Sequence, residues 1–345
     1  MAKKTKPVFH YKSEIDALRS GGPQRLYLLY GPEDYLRERF LEELRKVCVP
    51  DENDFSCKRL SGPLLDLNDL AEAVDALPFF TERTLVEVRD YDINRCRESD
   101  AAALKQILGD IPETCTVVFV LGADYVPDGR LAAVKLLKSA GRAIEFTEQE
   151  GSQLALWAAK RFQAFGKAVS RADIEYLIFL SGSRMNALLP EIEKAAAYAQ
   201  GETVTRADID ATANRIPEAD VFRMIDLLSQ RQPDRAAALL SDLLGNKDNH
   251  PILLNALIGQ QMRRLYAVKL CAAAGKTRRE AMELAGVKFD FLFDKLSAAA
   301  KSYRREQLAA IVALCAEYDY KMKSTGLDPY LLIRELFARV AAGGV

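Results

Sequence analysis

Residues 28–38, LLYGPEDYLRE, form the first stretch whose residue types and order could hold a phosphate. A phosphate loop has the spacing G-x-x-x-x-G-K-[ST]: glycine lets the backbone close around the anion, lysine neutralises it, and the hydroxyl holds Mg²⁺. Counted from Gly31, the last three positions of that pattern hold Leu36, Arg37 and Glu38. Three requirements fail together, so the spacing does not predict a phosphate site.

The acidic residues around this turn point the same way. Glu33 and Asp34 suit the positive end of a helix dipole and would repel an anion brought there. A nucleotide site also needs an acidic pair after a buried strand, whereas the run VVFVLG ends in Gly122 and a single Asp124 follows. We therefore interpret the stretch as a strand-to-helix turn and predict no bound nucleotide or other cofactor.

Other catalytic and metal-binding patterns are poorly supported. The chain has two histidines and six scattered cysteines without a C-x-x-C pair, which argues against zinc sites and histidine-based triads and for reduced thiols. His250 precedes Pro251 and indicates a helix start. Glu191 and Glu193 lie two positions apart and face different sides of a helix. We predict no catalytic residue and no metal ligand.

Bulk composition is that of an ordinary globular protein of two or three domains. The 345 residues are 49% apolar and 28% charged, with a net charge of −1. Residues 214–345 are mildly basic, with 20 Lys and Arg against 15 Asp and Glu. No apolar run approaches the length of a membrane span or a signal peptide, so we expect a cytoplasmic protein.

Alternating strand and helix patterns fill the first 146 residues. The predicted strands are Arg25–Tyr30, Phe55–Leu60, Arg83–Val88, Thr114–Leu121 and Arg142–Phe146. Helical patterns between them predict a mostly parallel sheet covered by helices. From residue 147 onward all patterns are helical. We predict an α/β domain over residues 1–146 and helical domains over 147–213 and 214–345.

A helix and the tip that follows it stand out within DALPFFTERTLVEV and the residues before it. Leu67, Leu70, Val74 and Leu77 recur at spacings of 3, 4 and 3, which predicts a helix that buries one face against the sheet. Pro78 should end that helix because it cannot continue the hydrogen-bond ladder.

Two adjacent aromatic residues, Phe79 and Phe80, then lie between this helix and the next strand. Two readings are open. One or both rings seal the edge of the core, as large apolar residues usually do. Alternatively the rings are exposed and mark a contact with another protein.

Basic residues cluster in the C-terminal part, and they too have two readings. They form solvated helix faces, which we favour, or they contact DNA phosphates or an acidic partner. The clusters are Arg263 with Arg264; Lys276 with Arg278 and Arg279; and Lys301 with Arg304 and Arg305.

Five segments, in this order, resemble one protein family over essentially the whole chain. They are YLLYGPEDYLRE, DALPFFTERTLVEVRD, MNALLPEIEKAAAYAQG, ILLNALIGQQMRRLYAVKL and LAAIVALCAEYDYKMKSTGLDPYLLIRELF. The family is the delta subunit of the bacterial DNA polymerase III clamp loader. The resemblance implies an AAA+-like first domain with a degenerate nucleotide site, a lid-like helical domain and a C-terminal helical collar that joins a ring of subunits.

The resemblance also implies a function and a site. Such a subunit binds the sliding clamp, the beta subunit, and opens its ring for loading on primed DNA, with Leu77, Phe79 and Phe80 as the clamp-binding residues. Its partners are the gamma/tau and delta prime subunits, and it reaches primed DNA through the complex. No catalysis of its own is implied, although the complex is classed as a DNA-directed DNA polymerase, a nucleotidyltransferase.

Two alternatives stay open. An AAA+-type ATPase or another nucleotide-binding enzyme with a degenerate phosphate loop would share the α/β pattern. A general interaction scaffold without a clamp role would share the helical part.

Overall fold

A computed structural model describes residues 11–50, 55–149 and 151–343 of the chain. The chain divides into two units, one formed by residues 1–150 with 184–186 and the other by residues 151–183 with 187–345. The first unit is built on a sheet and the second on helices. The predicted fold class, α/β followed by all-α, is confirmed.

The sheet of the first unit has the strand order β2-β3-β4-β1-β5, and every neighbouring pair is parallel. Its strands are β1 (Leu26–Tyr30), β2 (Cys57–Ser61), β3 (Thr84–Arg89), β4 (Cys115–Val120) and β5 (Arg142–Glu145). All five strands predicted from apolar runs are present, with bounds that differ by one or two residues. The central β4, CTVVFV, is buried along its whole length, as expected of a parallel strand covered on both faces.

Five helices accompany this sheet in the described part of the chain. They are α1 (Tyr11–Gly21), α2 (Asp34–Cys48), α3 (Leu67–Asp75), α4 (Glu98–Gly109) and α5 (Ala132–Ala140). Side chains of α3, α4 and α5 pack with β3 and β4 into one apolar core that contains Leu70, Leu104, Val134 and Phe119. The edge strand β2, CKRLS, is only partly buried. Sequence patterns had not predicted α1.

Helices make up most of the second unit. They are α6 (Gly151–Ala164), α7 (Arg171–Ser181), α8 (Met185–Tyr198), α9 (Arg206–Thr212), α10 (Pro217–Ser229), α11 (Pro233–Gly245), α12 (Pro251–Ala273), α13 (Arg278–Ala285), α14 (Asp290–Lys301), α15 (Arg305–Ser324) and α16 (Pro329–Ala341). A short parallel pair, β6 (Ala168–Val169) and β7 (Thr203–Val204), lies among the first four.

The long helix α12 is the centre of the C-terminal bundle. It carries buried residues such as Leu254, Ile258 and Leu265 and packs against α10, α13, α14, α15 and α16. His250 caps its start, because the His250 Nδ1 accepts a hydrogen bond from the Ile252 N–H at 3.2 Å. The predicted role of His250 as a helix start is therefore confirmed.

Aromatic contacts join the two predicted helical domains within the second unit. The Phe179 ring of α7 lies 5.4 Å from that of Phe222 on α10 and 5.7 Å from that of Phe291 on α14. The Arg206 guanidinium lies 4.2 Å from the Tyr176 ring centroid, within reach of a cation–π interaction. The predicted boundary between residues 213 and 214 stays a prediction.

The turn between β1 and α2 depends on a glycine. Gly31 has a φ of 116°, and a Cβ there would lie 2.5 Å from the Phe146 carbonyl oxygen. That oxygen accepts a hydrogen bond from the Glu33 N–H at 3.0 Å. Only glycine fits this approach without displacing backbone. The turn is thereby tied to the residue that follows β5.

Two charged side chains are buried at this turn. Glu33 is 1% exposed, and burial raises the pKa of its carboxyl to about 7. The nearby charges of Glu148 and Asp34 act in the same direction, against backbone hydrogen bonds that lower the pKa. Arg37 is also buried; its Nη1 donates to the Gly31 carbonyl at 2.7 Å and its Nη2 pairs with Asp34.

We expect Glu33→Gln to flatten the pH dependence of stability. The pKa of Glu33 is higher in the folded chain, about 7, than its ordinary 4.5, so the folded state binds the extra proton. The free energy of unfolding therefore falls as pH rises from 4.5 to 7, by at most about 3 kcal/mol. Glutamine has the same shape and does not ionise, so the variant should be the more stable protein at pH 8.

Urea unfolding followed by circular dichroism at pH 5.5 and pH 8 measures this effect. Glu38→Gln is the matched control on α2, because Glu38 pairs with Arg89 at 2.9 Å and its neutralisation should destabilise the protein at pH 8. A Glu33→Gln variant that follows the parent at both pH values would contradict the prediction.

Candidate functional site

The segment between α3 and β3 carries three exposed apolar side chains. Leu77, Phe79 and Phe80 are 85%, 78% and 77% exposed. We call residues 76–83 the tip. Large apolar residues in such a contiguous exposed group mark contact surfaces on soluble proteins. The structure thus supports the exposed reading of the two aromatic residues and excludes their burial in the core.

The segments on both sides of the tip are held by the first unit. At one end, Val74 in the last turn of α3 is buried in the same apolar core as Val86 of β3. At the other end, the Thr84 N–H donates to the Thr114 carbonyl at 2.7 Å as β3 begins. Between these ends, the Phe79 N–H donates to the Ser56 Oγ at 3.4 Å. The rings therefore project from a backbone that the sheet holds.

The two rings contact each other. The Phe79 and Phe80 centroids lie 4.7 Å apart at an interplanar angle of 83°, an edge-to-face pair. Such geometry is favourable for aromatic rings and orders them relative to each other. The pair therefore presents one combined apolar surface to solvent.

Leu77 differs from its prediction as part of a buried helix face. The helix α3 ends at Asp75, and Ala76 is already extended, so Leu77 lies beyond the last turn. Leu70 and Val74 are buried as predicted, while Leu67 is half-buried. The residue before a proline is disfavoured in the helical region, which is why the stripe stops short of Leu77. Leu77 joins the exposed surface of the tip.

The tip and the Gly31 turn lie at opposite ends of the β-strands. Because the strands are parallel, all their N-terminal ends lie on one side of the sheet and all their C-terminal ends lie on the other. The tip immediately precedes β3, whereas Gly31 immediately follows β1. A ligand bound at the tip is thus separated from the Gly31 turn by the length of the strands.

The residue at the lysine position of the Gly31 turn is not available to a phosphate. Arg37 takes the lysine position of the phosphate-loop pattern, but its guanidinium is buried and engaged by the Gly31 carbonyl and Asp34. The side chain of Glu33 is buried at the same turn. The geometry therefore agrees with the failed spacing.

Acidic residues follow β3 as well as β4, although the sequence analysis predicted none after β3 for a nucleotide site. Asp90 has a φ of 57° and its Oδ1 would lie 3.5 Å from a Cβ at Gly122, so the two strand ends adjoin. Asp92 accepts a hydrogen bond from the Tyr125 hydroxyl at 2.8 Å. Across residues 11–50, 55–149 and 151–343, no group of three or more His, Cys, Asp or Glu could hold a metal ion.

The basic clusters are partly neutralised within the second unit. Arg264 pairs with Glu218 at 2.9 Å, and Lys276 with Glu280 at 3.3 Å. Arg278 pairs with two aspartates of α14, the nearer at 2.6 Å. Exposed pairs of this kind contribute little to stability, but they reduce the charge available to a phosphate backbone.

Two further findings concern the thiols and the helices. All six cysteines are free, and four of them are buried. In the part of the chain that the structure describes, no helix has both the length and the apolar content of a membrane span.

The chain is similar to known proteins along nearly its whole length. A family model described as DNA polymerase III, delta subunit, matches residues 27–147, and the model of the delta subunit's C-terminal domain matches residues 218–340. DNA polymerase III subunit delta of Bacillus subtilis (strain 168) is 27% identical over 334 residues, which cover 93% of this chain and 94% of that protein. A probable DNA polymerase III subunit delta of Aquifex aeolicus (strain VF5) is 22% identical and covers 90% of each chain.

A solved structure has the same fold. The Bacillus subtilis DNA clamp loader delta protein (YqeN) superposes with a TM-score of 0.51 at 22% identity, over 96% of this chain and 100% of that chain. The two family models together span well over half of the sequence, in the order in which the two units occur. The protein therefore belongs to the DNA polymerase III delta-subunit family.

Proposed function

We propose that this protein is the non-catalytic clamp-loader subunit that binds the sliding clamp and opens its ring interface for loading on primed DNA. The observation that carries the proposal is the exposed Phe79–Phe80 pair on an anchored tip. Leu77 completes the surface. Membership of the delta-subunit family supports this assignment over a general scaffold.

Burial energies indicate how the tip acts. Burying two Phe side chains contributes roughly 3–6 kcal/mol, and Leu77 adds about 1.5–3 kcal/mol. Association costs about 4–15 kcal/mol in lost translational and rotational freedom, and the ordering of side chains and desolvation add to that cost. The tip therefore has little surplus free energy with which to break a stable ring interface by force.

Differential binding resolves this difficulty. A ligand shifts a conformational equilibrium by the difference in its affinity for the two states, however modest its total affinity. We propose that the tip fits the opened or strained clamp better than the closed one. The clamp then opens because the bound state favours the open ring.

Partner subunits supply the ATP hydrolysis in this scheme. We propose gamma/tau and delta prime as the other subunits of the hetero-oligomer, primed DNA as a ligand of the whole complex, and the cytoplasm as its location. Exposed apolar residues at the α15–α16 hairpin support a subunit contact there; these are Tyr320, Leu327, Tyr330 and Leu331. The C-terminal helices would thus form the predicted oligomerisation domain.

Phe79→Ala with Phe80→Ala should weaken clamp binding at least tenfold, about 1.4 kcal/mol, because both rings lose their contact. Surface plasmon resonance with immobilised sliding clamp measures the affinity. Thermal unfolding should change little, since the rings are exposed. Leu64→Ala is the matched control, because Leu64 is 87% exposed but follows β2 and so lies at the C-terminal ends of the strands, away from the tip. Equal affinities of the double variant and the parent would refute the site.

The purified chain should neither hydrolyse ATP nor bind it. Arg37, at the lysine position of the phosphate-loop pattern, is engaged within its own turn and is not available to the phosphates. A phosphate-release assay and thermal unfolding with and without Mg-ATP test this expectation. Turnover, or a rise in melting temperature at millimolar ATP, would favour the nucleotide-binding enzyme instead.

Tyr320→Ser with Leu331→Ser should weaken assembly with the other clamp-loader subunits at least fivefold, about 1 kcal/mol, through lost apolar burial. Analytical ultracentrifugation of the mixed subunits measures assembly. The isolated variant should still bind the clamp like the parent. Assembly at parental strength would show that the hairpin is not the subunit contact.

A further inference from the structure

After Phe79 and Phe80, Phe55 is a third exposed aromatic residue at the N-terminal ends of the strands. Its side chain is 84% exposed, comparable to Phe79 and Phe80. It precedes β2, which begins at Cys57, just as the tip precedes β3. Sequence patterns placed Phe55 inside a strand, where one face would have been covered. The structure instead places it in a turn before the strand.

Ser56 connects this residue to the tip. Its hydroxyl accepts the hydrogen bond from the Phe79 N–H at 3.4 Å, and its carbonyl accepts from the Leu85 N–H at 2.8 Å. Ser56 is itself buried. The residue next to Phe55 is thus held both by the tip and by the start of β3.

Covalent geometry limits the distance between the two aromatic positions. Standard bond lengths added to the Ser56–Phe79 hydrogen bond put the Cα atoms of Phe55 and Phe79 at most about 11 Å apart. A phenylalanine ring extends several ångströms beyond its Cα. Both side chains can therefore contact one surface of a single partner.

A lone exposed apolar residue needs no explanation, so position decides the reading. Leu64 and Val126 are also exposed, but they follow β2 and β4 and so lie toward the C-terminal ends of the strands, away from the tip. Phe55 adjoins Ser56, whose side-chain hydroxyl accepts a hydrogen bond from the backbone of the tip. Continuity with the tip, not exposure alone, indicates a shared partner.

We propose that Phe55 is an additional aromatic anchor of the clamp-binding surface and contacts an apolar patch of the sliding clamp next to the one that the tip contacts. The inference rests on the proposed function. Two anchors on different segments fix the angle between the clamp and the sheet, whereas the tip alone leaves the clamp free to pivot. A fixed angle is what a binder needs to favour one shape of a ring over another.

The affinity of the full chain for purified sliding clamp tests the proposal. Phe55→Ala should weaken binding at least fivefold, about 1 kcal/mol, and Phe55→Leu should retain most of the affinity because an apolar side chain remains. Leu64→Ala should bind like the parent. Thermal unfolding of all variants should match the parent, which separates lost contact from lost fold.

The outcomes separate this inference from the proposed function. Parental affinity of Phe55→Ala, with weakened binding by the Phe79→Ala/Phe80→Ala variant, overturns the inference and leaves the proposed function standing. Parental affinity of both variants overturns the proposed function itself. Weakened binding by Phe55→Ala supports the inference.

Proximity gives a second readout. A photoreactive benzoylphenylalanine placed at position 55 should form a covalent product with the clamp on irradiation, as it should at position 80. The same group at position 64 should not. Crosslinking from position 80 without any from position 55 would also overturn the inference.

Discussion

Hydrogen bonds at the N-terminal end of β3 hold the backbone of the tip, and the exposure of its aromatic rings depends on them. Apolar rings in water gain nothing from exposure, and a flexible segment would fold them back onto the protein. The short span between Asp75 and Thr84 and the Ser56 hydroxyl restrict the backbone of Phe79. Exposure is therefore a property of the scaffold, imposed on side chains that would otherwise be buried.

The same sheet supports a second turn that resembles a ligand site but has none of its chemistry. The Gly31 turn follows a strand, precedes a helix and needs a glycine because it approaches the Phe146 carbonyl closely. The guanidinium of Arg37 is buried, donates a hydrogen bond to the Gly31 carbonyl and pairs with Asp34. Glu33 then occupies the interior, where burial raises the pKa of its carboxyl. The described contacts of this turn therefore connect parts of the protein to one another.

Most of the fold could be predicted from sequence because its signals are local. Short runs rich in β-branched and apolar residues such as CTVVFV are typical of strands covered on both faces, and alternation with helices predicts parallel pairing. The exposure of Phe79 and Phe80 was left open, since composition does not tell which way adjacent rings turn. Leu77 was misplaced because helical spacing continues on paper past the residue where the helix ends.

Features that depend on distant contacts could not be predicted. The burial of Glu33 follows from the packing around its turn, and the link between Ser56 and Phe79 spans more than twenty positions. Asp90 and Gly122 adjoin only because β3 and β4 are neighbours in the sheet. Sequence periodicity carries information on faces of single elements, and these features arise between elements.

The edge-to-face pair has a consequence for control. Because the rings of Phe79 and Phe80 are exposed in the chain by itself, another protein can contact them without a rearrangement of the tip. Under the function proposed above, control over clamp binding would then have to come from a neighbouring subunit that covers the rings.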